Sequence, residues 1–329
     1  MDHRRLHLLE KAQVQAAAAA GIAIVYFAFW AVVRPSGPED PVLYAATAGF
    51  GSAALFAGMV LLLAALCALA TVHARPEGAL MAALLGAGGI SLRSDQLRGM
   101  LWHWQDRLPS LFLVMAAEVL LMAAVLLAAA LVVDAIRRLI ARAKPGWVWK
   151  SPHADEDSDA PGRGRAGYTL MSFLRPRPGG AGKPRAGGSM RFAGEAKRFG
   201  GCLALSGVIA AVLVLLLLRS SDRGQILFAL LAACLIGSLI AHQTFPTHHS
   251  VALWIMPLIL ALGFYALSAA TAMRGPGAWM HLPHYARALP VDWLTAGCGG
   301  ALIGFWLSER ICELRHLEQQ EEKHGEAAA

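Results

Sequence analysis

The sequence predicts an all-α fold: a polytopic transmembrane helical bundle of about eight spans with an interfacial amphipathic helix. Three observations predict it. The chain of 329 residues is 57% hydrophobic and only 16% charged, where a soluble protein carries about 25% charged residues. Long apolar runs occupy 14–33, 42–72, 110–133, 201–218, 225–241 and 251–273, and about 20 such residues cross the roughly 30 Å of bilayer hydrocarbon. Charge, finally, is concentrated in one place. Residues 137–200 hold 14 Lys/Arg against five Asp/Glu, a net of +9 that exceeds the +7 of the whole chain.

The first run follows a basic start (Arg4, Arg5, Lys11) and resembles a signal sequence. It is too long for a cleavable apolar core, and Arg34-Pro35-Ser36-Gly37 is no small-x-small cleavage site, so it reads as an uncleaved anchor. Two further segments are short. Residues 78–92 offer about 15 apolar positions, enough for a short span or a re-entrant hairpin. Residues 291–307 are Gly-rich and bounded by Asp292 and Glu309.

Charge decides between spans and hairpins. Lys and Arg next to spans stay in the cytoplasm. With the N-terminus and the 137–200 segment both cytoplasmic, an even number of crossings separates them, so 78–92 crosses. The N-terminal membrane half is then 1–136 (spans 14–33, 42–72, 78–92 and 110–133). The C-terminal half is 201–310 (spans 201–218, 225–241, 251–273 and 291–307), and a cytoplasmic tail covers 311–329. Arg219 and Arg223 fall on the outer side, against the trend.

Residues 94–108 predict the interfacial helix. Leu97, Met100, Leu101, Trp104 and Leu108 share one face, Ser94 offers an N-cap, and Trp102 and Trp104 suit the headgroup region. The segment 137–200 is Gly-, Pro- and Arg-rich and reads as a largely disordered cytoplasmic loop. Trp147 and Trp149 are placed to anchor at the interface, and a patch at Tyr168, Leu170, Met171, Phe173 and Leu174 lies between basic stretches. Anionic lipid headgroups are the partner this loop suggests.

Candidate chemistry is sparse. Glu118 sits deep inside an apolar run, at a cost of about 3 kcal/mol, so it needs a neighbour or a proton. Arg93, at the end of the short 78–92 span, is the neighbour expected from helical rise, making Glu118 and Arg93 a possible intramembrane polar site. His242, His248 and His249 are weak metal candidates, because no carboxylate or cysteine accompanies them. His281 and His284 lie on the opposite face. The five cysteines form no Cys-x-x-Cys pair and read as buried thiols. Ser206, in Ala204-Leu205-Ser206-Gly207, has no base to activate it. Phosphate-loop, zinc-protease and dinucleotide motifs are lacking, so no cofactor and no nucleic-acid partner is expected.

Gly297, Gly300 and Gly304 line one face of the last span. Such faces let helices approach closely in lipid, within the chain or in a homo-oligomer or protein partner. Three functions follow. The first is a non-catalytic scaffold or subunit of a membrane assembly. The second is a secondary transporter or channel-like protein centred on Glu118 and Arg93. The third is a membrane-embedded enzyme acting on lipid.

Overall fold

Among the described residues eight long helices form the scaffold around the buried charges. The computed structural model describes residues 3–35, 37, 40–144, 188–247 and 250–328. Among these residues the fold is all-α, with no strand. The helices are α1 (His3–Ile24), α2 (Gly49–Ala70), α3 (Pro76–Arg93), α4 (Leu108–Ala143), α5 (Gly188–Leu217), α6 (Arg223–Thr244), α7 (Val251–Thr271) and α8 (Cys298–Ala328). Single π-helical turns extend α1 (Val25–Phe29), α2 (Tyr44–Ala48) and α8 (Trp293–Gly297).

Contacts fix the direction of each helix. Gly78 faces Val14 and Gly86 faces Gly21, so α1 and α3 run side by side in the same direction. Tyr44 meets Glu118 and Thr71 meets Arg137, so α2 and α4 are also parallel. Arg75 pairs with Glu309, Gly299 faces Leu85 and Ser91 bonds Thr295, so α3 and α8 are antiparallel. Gly300 faces Leu231 and His242 bonds Ser308, which sets α6 parallel to α8. Gly201 faces Phe245 and Gly237 faces Ser206, which sets α5 against α6. Ser250 reaches Glu77, and Tyr265 reaches Ala288, so α7 runs with α3. Consecutive long helices therefore alternate in direction between two polar ends, called below the Arg75 end and the Arg223 end.

Among the described residues six segments are long and apolar enough to cross a membrane: Leu9–Val33, Tyr44–Ala70, Gln105–Ala143, Ala196–Leu217, Arg223–Thr244 and Val251–Thr271. That is two fewer than the eight expected, and the missing two are α3 and α8. The reason is where they sit. α3 is surrounded by other helices, with Gly78, Ala79, Leu80, Met81, Ala82, Ala83, Gly86, Ala87 and Gly89 all buried. A helix that faces protein needs small residues for close approach more than it needs hydropathy.

The glycines do this work. A side-chain carbon at Gly86 would lie 3.1 Å from the Gly21 Cα. One at Gly300 would lie 2.4 Å from the Leu231 carbonyl oxygen, and one at Gly304 would lie 2.2 Å from that of Leu235. The face of Gly297, Gly300 and Gly304 is thus filled by α6 and α7 of the same chain. Cys67, Cys202, Cys234 and Cys298 are buried free thiols, and Cys312 is an exposed one.

Several boundaries differ from the sequence reading: α5 begins at Gly188, inside the segment 137–200 expected to be a loop, and α8 continues past 307 to Ala328. The amphipathic helix predicted over 94–108 is shorter, an α-helical turn and a half at Arg98–His103 followed by a 3₁₀ turn at Gln105–Arg107. Ser94 does not cap it; its backbone N–H closes α3 on the Ile90 carbonyl at 2.8 Å, and its hydroxyl accepts the Val42 N–H at 2.9 Å. The apolar face is nonetheless used, because Leu97, Met100, Leu101 and Leu108 are buried and Trp102 is exposed. At another boundary, α4 continues past 136 to Ala143, and Arg137 is buried within it. The rest of the basic loop over 145–187, with Trp147, Trp149 and the Tyr168–Leu174 patch, lies outside the described residues.

Replacing Gly300 or Gly304 by Leu drives a side chain into the α6 backbone. Overpacking of this kind costs about 1–3 kcal/mol or more. Thermal unfolding in detergent should show a lowered melting temperature for either variant. Gly58→Leu, at a position with open space beside it, should leave it unchanged.

Candidate functional site

Buried charge begins with the ends of α2. The first N–H groups and last C=O groups of a helix have no intrahelical partners, and inside a bilayer water does not supply them. Glu118, 2% exposed on α4, answers the first need. Its two oxygens accept the N–H groups of Tyr44 and Ala45 at 3.1 and 3.3 Å. Arg137, five turns further along α4, answers the second. Its guanidinium donates to the carbonyls of Thr71, Val72 and Ala74 at 3.3, 3.2 and 2.5 Å. A carboxyl group stands at the helix start and a guanidinium at its end, the order that complements a helix dipole.

The expected pair of Glu118 and Arg93 is therefore not formed. Arg93 points back to α1, where it donates to the Tyr26 carbonyl at 2.6 Å and lies over the rings of Tyr26 and Trp30. Tyr26 belongs to the π turn Val25–Phe29, whose wider hydrogen-bond spacing frees backbone groups for such contacts. Helical rise alone placed the two side chains at comparable depth. It could not reveal that an irregular start of α2 lies between them.

The Arg75 end carries a denser network. Arg75, in the turn between α2 and α3, donates to Glu309 at 2.8 Å and pairs with Glu313 on α8. Its own N–H is accepted by Glu10 of α1 at 3.1 Å. Burial alone would lower the Arg75 guanidinium, and the carboxylates of Glu313, Glu309 and Glu77 more than reverse that, so it remains a cation. Glu77 accepts the hydroxyl of Ser250, which opens α7. A cavity of about 40 Å³ lies beside Glu10, Lys11, Arg75, Arg310 and Glu313, room for about a water molecule.

His242 belongs to this end. Its Nδ1 meets the Ser308 hydroxyl at 2.7 Å and its Nε2 meets the Thr247 carbonyl at 3.1 Å. A carbonyl only accepts, so Nε2 carries a proton, and the Glu309 carboxylate lies 3.7 Å from the same nitrogen. Both ring nitrogens are thus engaged by groups of the protein itself. His248 and His249 lie outside the described residues. Among those described, no group of three or more His, Cys, Asp or Glu could hold a metal ion.

The Arg223 end has its own lock. Arg223 makes a two-pronged bond to Asp292, at 2.8 and 2.5 Å, and also donates to the Ser91 carbonyl at 2.9 Å. Asp292 in turn accepts the Leu289 N–H at 2.7 Å, opening the helical turn that leads into α8. Ser91 and Thr295 share a hydroxyl contact at 3.0 Å. Sequence reasoning marked Arg223 only as a cation on the unexpected side. That misfit was the available signal that a buried acid would pair with it.

Comparisons with protein-family models, with curated proteins and with solved structures find no match.

Two tests follow. Glu118→Leu strands the buried Tyr44 N–H, at a cost of about 1–3 kcal/mol, together with the part-buried Ala45 N–H, and should lower the detergent melting temperature more than Glu118→Gln, which keeps one acceptor. Removing one member of the buried Arg223–Asp292 pair should cost about 3–5 kcal/mol. A double-mutant cycle with Arg223→Met and Asp292→Asn should show strong coupling, the double variant being much less destabilised than the sum of the singles.

Proposed function

We propose that this integral membrane protein is a non-catalytic scaffold or subunit of a membrane assembly. In this reading eight spans cross a bacterial plasma membrane. The Arg75 end, both termini and the basic segment 137–200 face the cytoplasm, with that segment resting on anionic headgroups. The alternating direction of α1 to α8 supports the crossing of α3 and α8, because each lies parallel to a helix that is long enough to span. The positive-inside rule supports the orientation.

One observation carries the functional part. The buried charges of Glu118, Arg137, Arg223 and Asp292 are spent on closing helix ends or pairing with one another, and Arg75 is paired with Glu309 and Glu313. Between the polar ends, helices meet backbone to backbone at Gly21, Gly86, Gly237, Gly300 and Gly304. Such a body holds one arrangement and offers its outer surface for work. The exposed faces of α1 (Ala12, Ala16, Ala19) and α2 (Gly51, Gly58) are rich in small residues, the type that helices use to associate in lipid. Transport through Glu118 is weakened as a reading, since both its oxygens already hold backbone N–H groups.

Photo-crosslinking in cells distinguishes these readings. A crosslinker at Ala16 or Gly58 should give a discrete higher-mass adduct, and one at buried Gly86 should not. Absence of any adduct, together with a solute flux abolished by Glu118→Gln, would favour transport. Cysteine labelling in intact cells should leave residues 150–185 protected from membrane-impermeant reagents and should reach Gly275–Pro276.

A further inference from the structure

Three cations and a histidine collect at the Arg223 end without an acid among them. Arg98 stands on the short helix Arg98–His103, Arg219 follows α5, and His284 and Arg287 lie in the 3₁₀ turn His284–Arg287. Gln105 ties the first of these elements to the loop before α8: its carbonyl accepts from Gly275 at 3.4 Å and its side chain from Gly277 at 3.2 Å. The Arg98 guanidinium lies 5.5 Å above the Trp279 ring. The turn His284–Arg287 packs on both α5 and α7, with Tyr285 stacked on Phe264 at 4.8 Å.

Among the described residues none of the four has an ion-pair partner, whereas neighbouring Arg223 is fully engaged by Asp292. The Nδ1 of His284 and the Nε of Arg287 are buried without a hydrogen-bond partner. Arg219 uses only its Nε, on the Leu216 carbonyl, and keeps the rest of its fork free. Burial, then Arg287 and Arg219, lower the His284 imidazole below its ordinary value, and burial, then Arg98, lower Arg287. The groups therefore feel one another as like charges. Folding gathers repelling cations only where something else offsets the repulsion, and an anion with several oxygens does so.

The surroundings name the anion's source. Trp102, Met273 and Met280 are 60%, 68% and 59% exposed beside the cluster. Large apolar side chains next to arginines at the end of a spanning bundle belong at the headgroup level of a bilayer. We propose that Arg98, Arg219, His284 and Arg287 form a binding site for the phosphate of an anionic phospholipid in the leaflet at the Arg223 end. The site accounts for Arg219, which the positive-inside rule leaves unexplained. It rests on the chain spanning a membrane and not on its acting as a scaffold.

Native mass spectrometry of the full-length protein, with equal phosphatidylglycerol and phosphatidylcholine in the detergent, tests it. The wild type should retain phosphatidylglycerol several-fold over phosphatidylcholine. The triple variant R98Q/R219Q/R287Q should lose that preference, and R98K/R219K/R287K should keep most of it. Equal retention of the two lipids by the wild type, or an unchanged preference in the glutamine variant, overturns the proposal. Displacement of the lipid by millimolar inorganic phosphate overturns the lipid assignment in favour of a soluble anion. Should the glutamine variant fail to fold, photoactivatable phosphatidylglycerol on the wild type decides. Labelling of peptides around Arg98 and Trp279–Arg287 supports the site, and labelling confined to 145–187 refutes it.

Discussion

A helix end buried in lipid must find protein groups for its unpaired amides and carbonyls, and this constraint accounts for where Glu118, Arg137, Arg223 and Asp292 sit. α4 meets it for α2 at both ends, with Glu118 on the Tyr44 and Ala45 amides and Arg137 on the Thr71, Val72 and Ala74 carbonyls. Arg223 does the same for the end of α3 through the Ser91 carbonyl, and Asp292 for the start of the segment leading into α8. Each ion stabilises because the helix end gives it the field and hydrogen bonds that water would otherwise supply. The charges divide into two layers, one at each end of the bundle.

Between those layers the packing logic changes. Lipid is as apolar as leucine, so helices gain little from burying large side chains against one another and more from close approach. The innermost helices, α3 and α8, are accordingly the richest in glycine along their contacts. Their modest hydropathy and their central position have one cause. The three π turns fall at the Arg223 end, and each coincides with a polar contact: Arg93 on Tyr26, Glu118 on Tyr44, Ser91 with Thr295. The widened turns and the polar side chains satisfy one another.

Much of this was legible in the residues. The long apolar runs place the six spanning helices closely, and the spacing of Gly297, Gly300 and Gly304 announces a close-packed face. Glu118 stood out as a charge needing company. Its partner was hidden because the apolar run 42–72 looks like one uninterrupted helix. The excess length of that run was the clue that Val42 to Ala48 would not be regular. Arg137 was hidden for a different reason. It opens a strongly basic stretch and reads as solvent-facing, although Ile136, Leu139 and Ile140 continue the helical pattern around it. Tertiary pairing across 63 to 66 residues, as between Arg137 and the Thr71–Ala74 turn, leaves no local trace in sequence.

Backbone amide hydrogen exchange at Tyr44 and Ala45 tests the central claim most directly. In the wild type both amides should be strongly protected by their bonds to Glu118, that of Tyr44 inside the core and that of Ala45 at its edge. In Glu118→Leu they should exchange far faster, while amides in the middle of α2 keep their protection. Unchanged protection at Tyr44 and Ala45 in that variant would contradict the account, since the carboxylate would then not be what closes the helix.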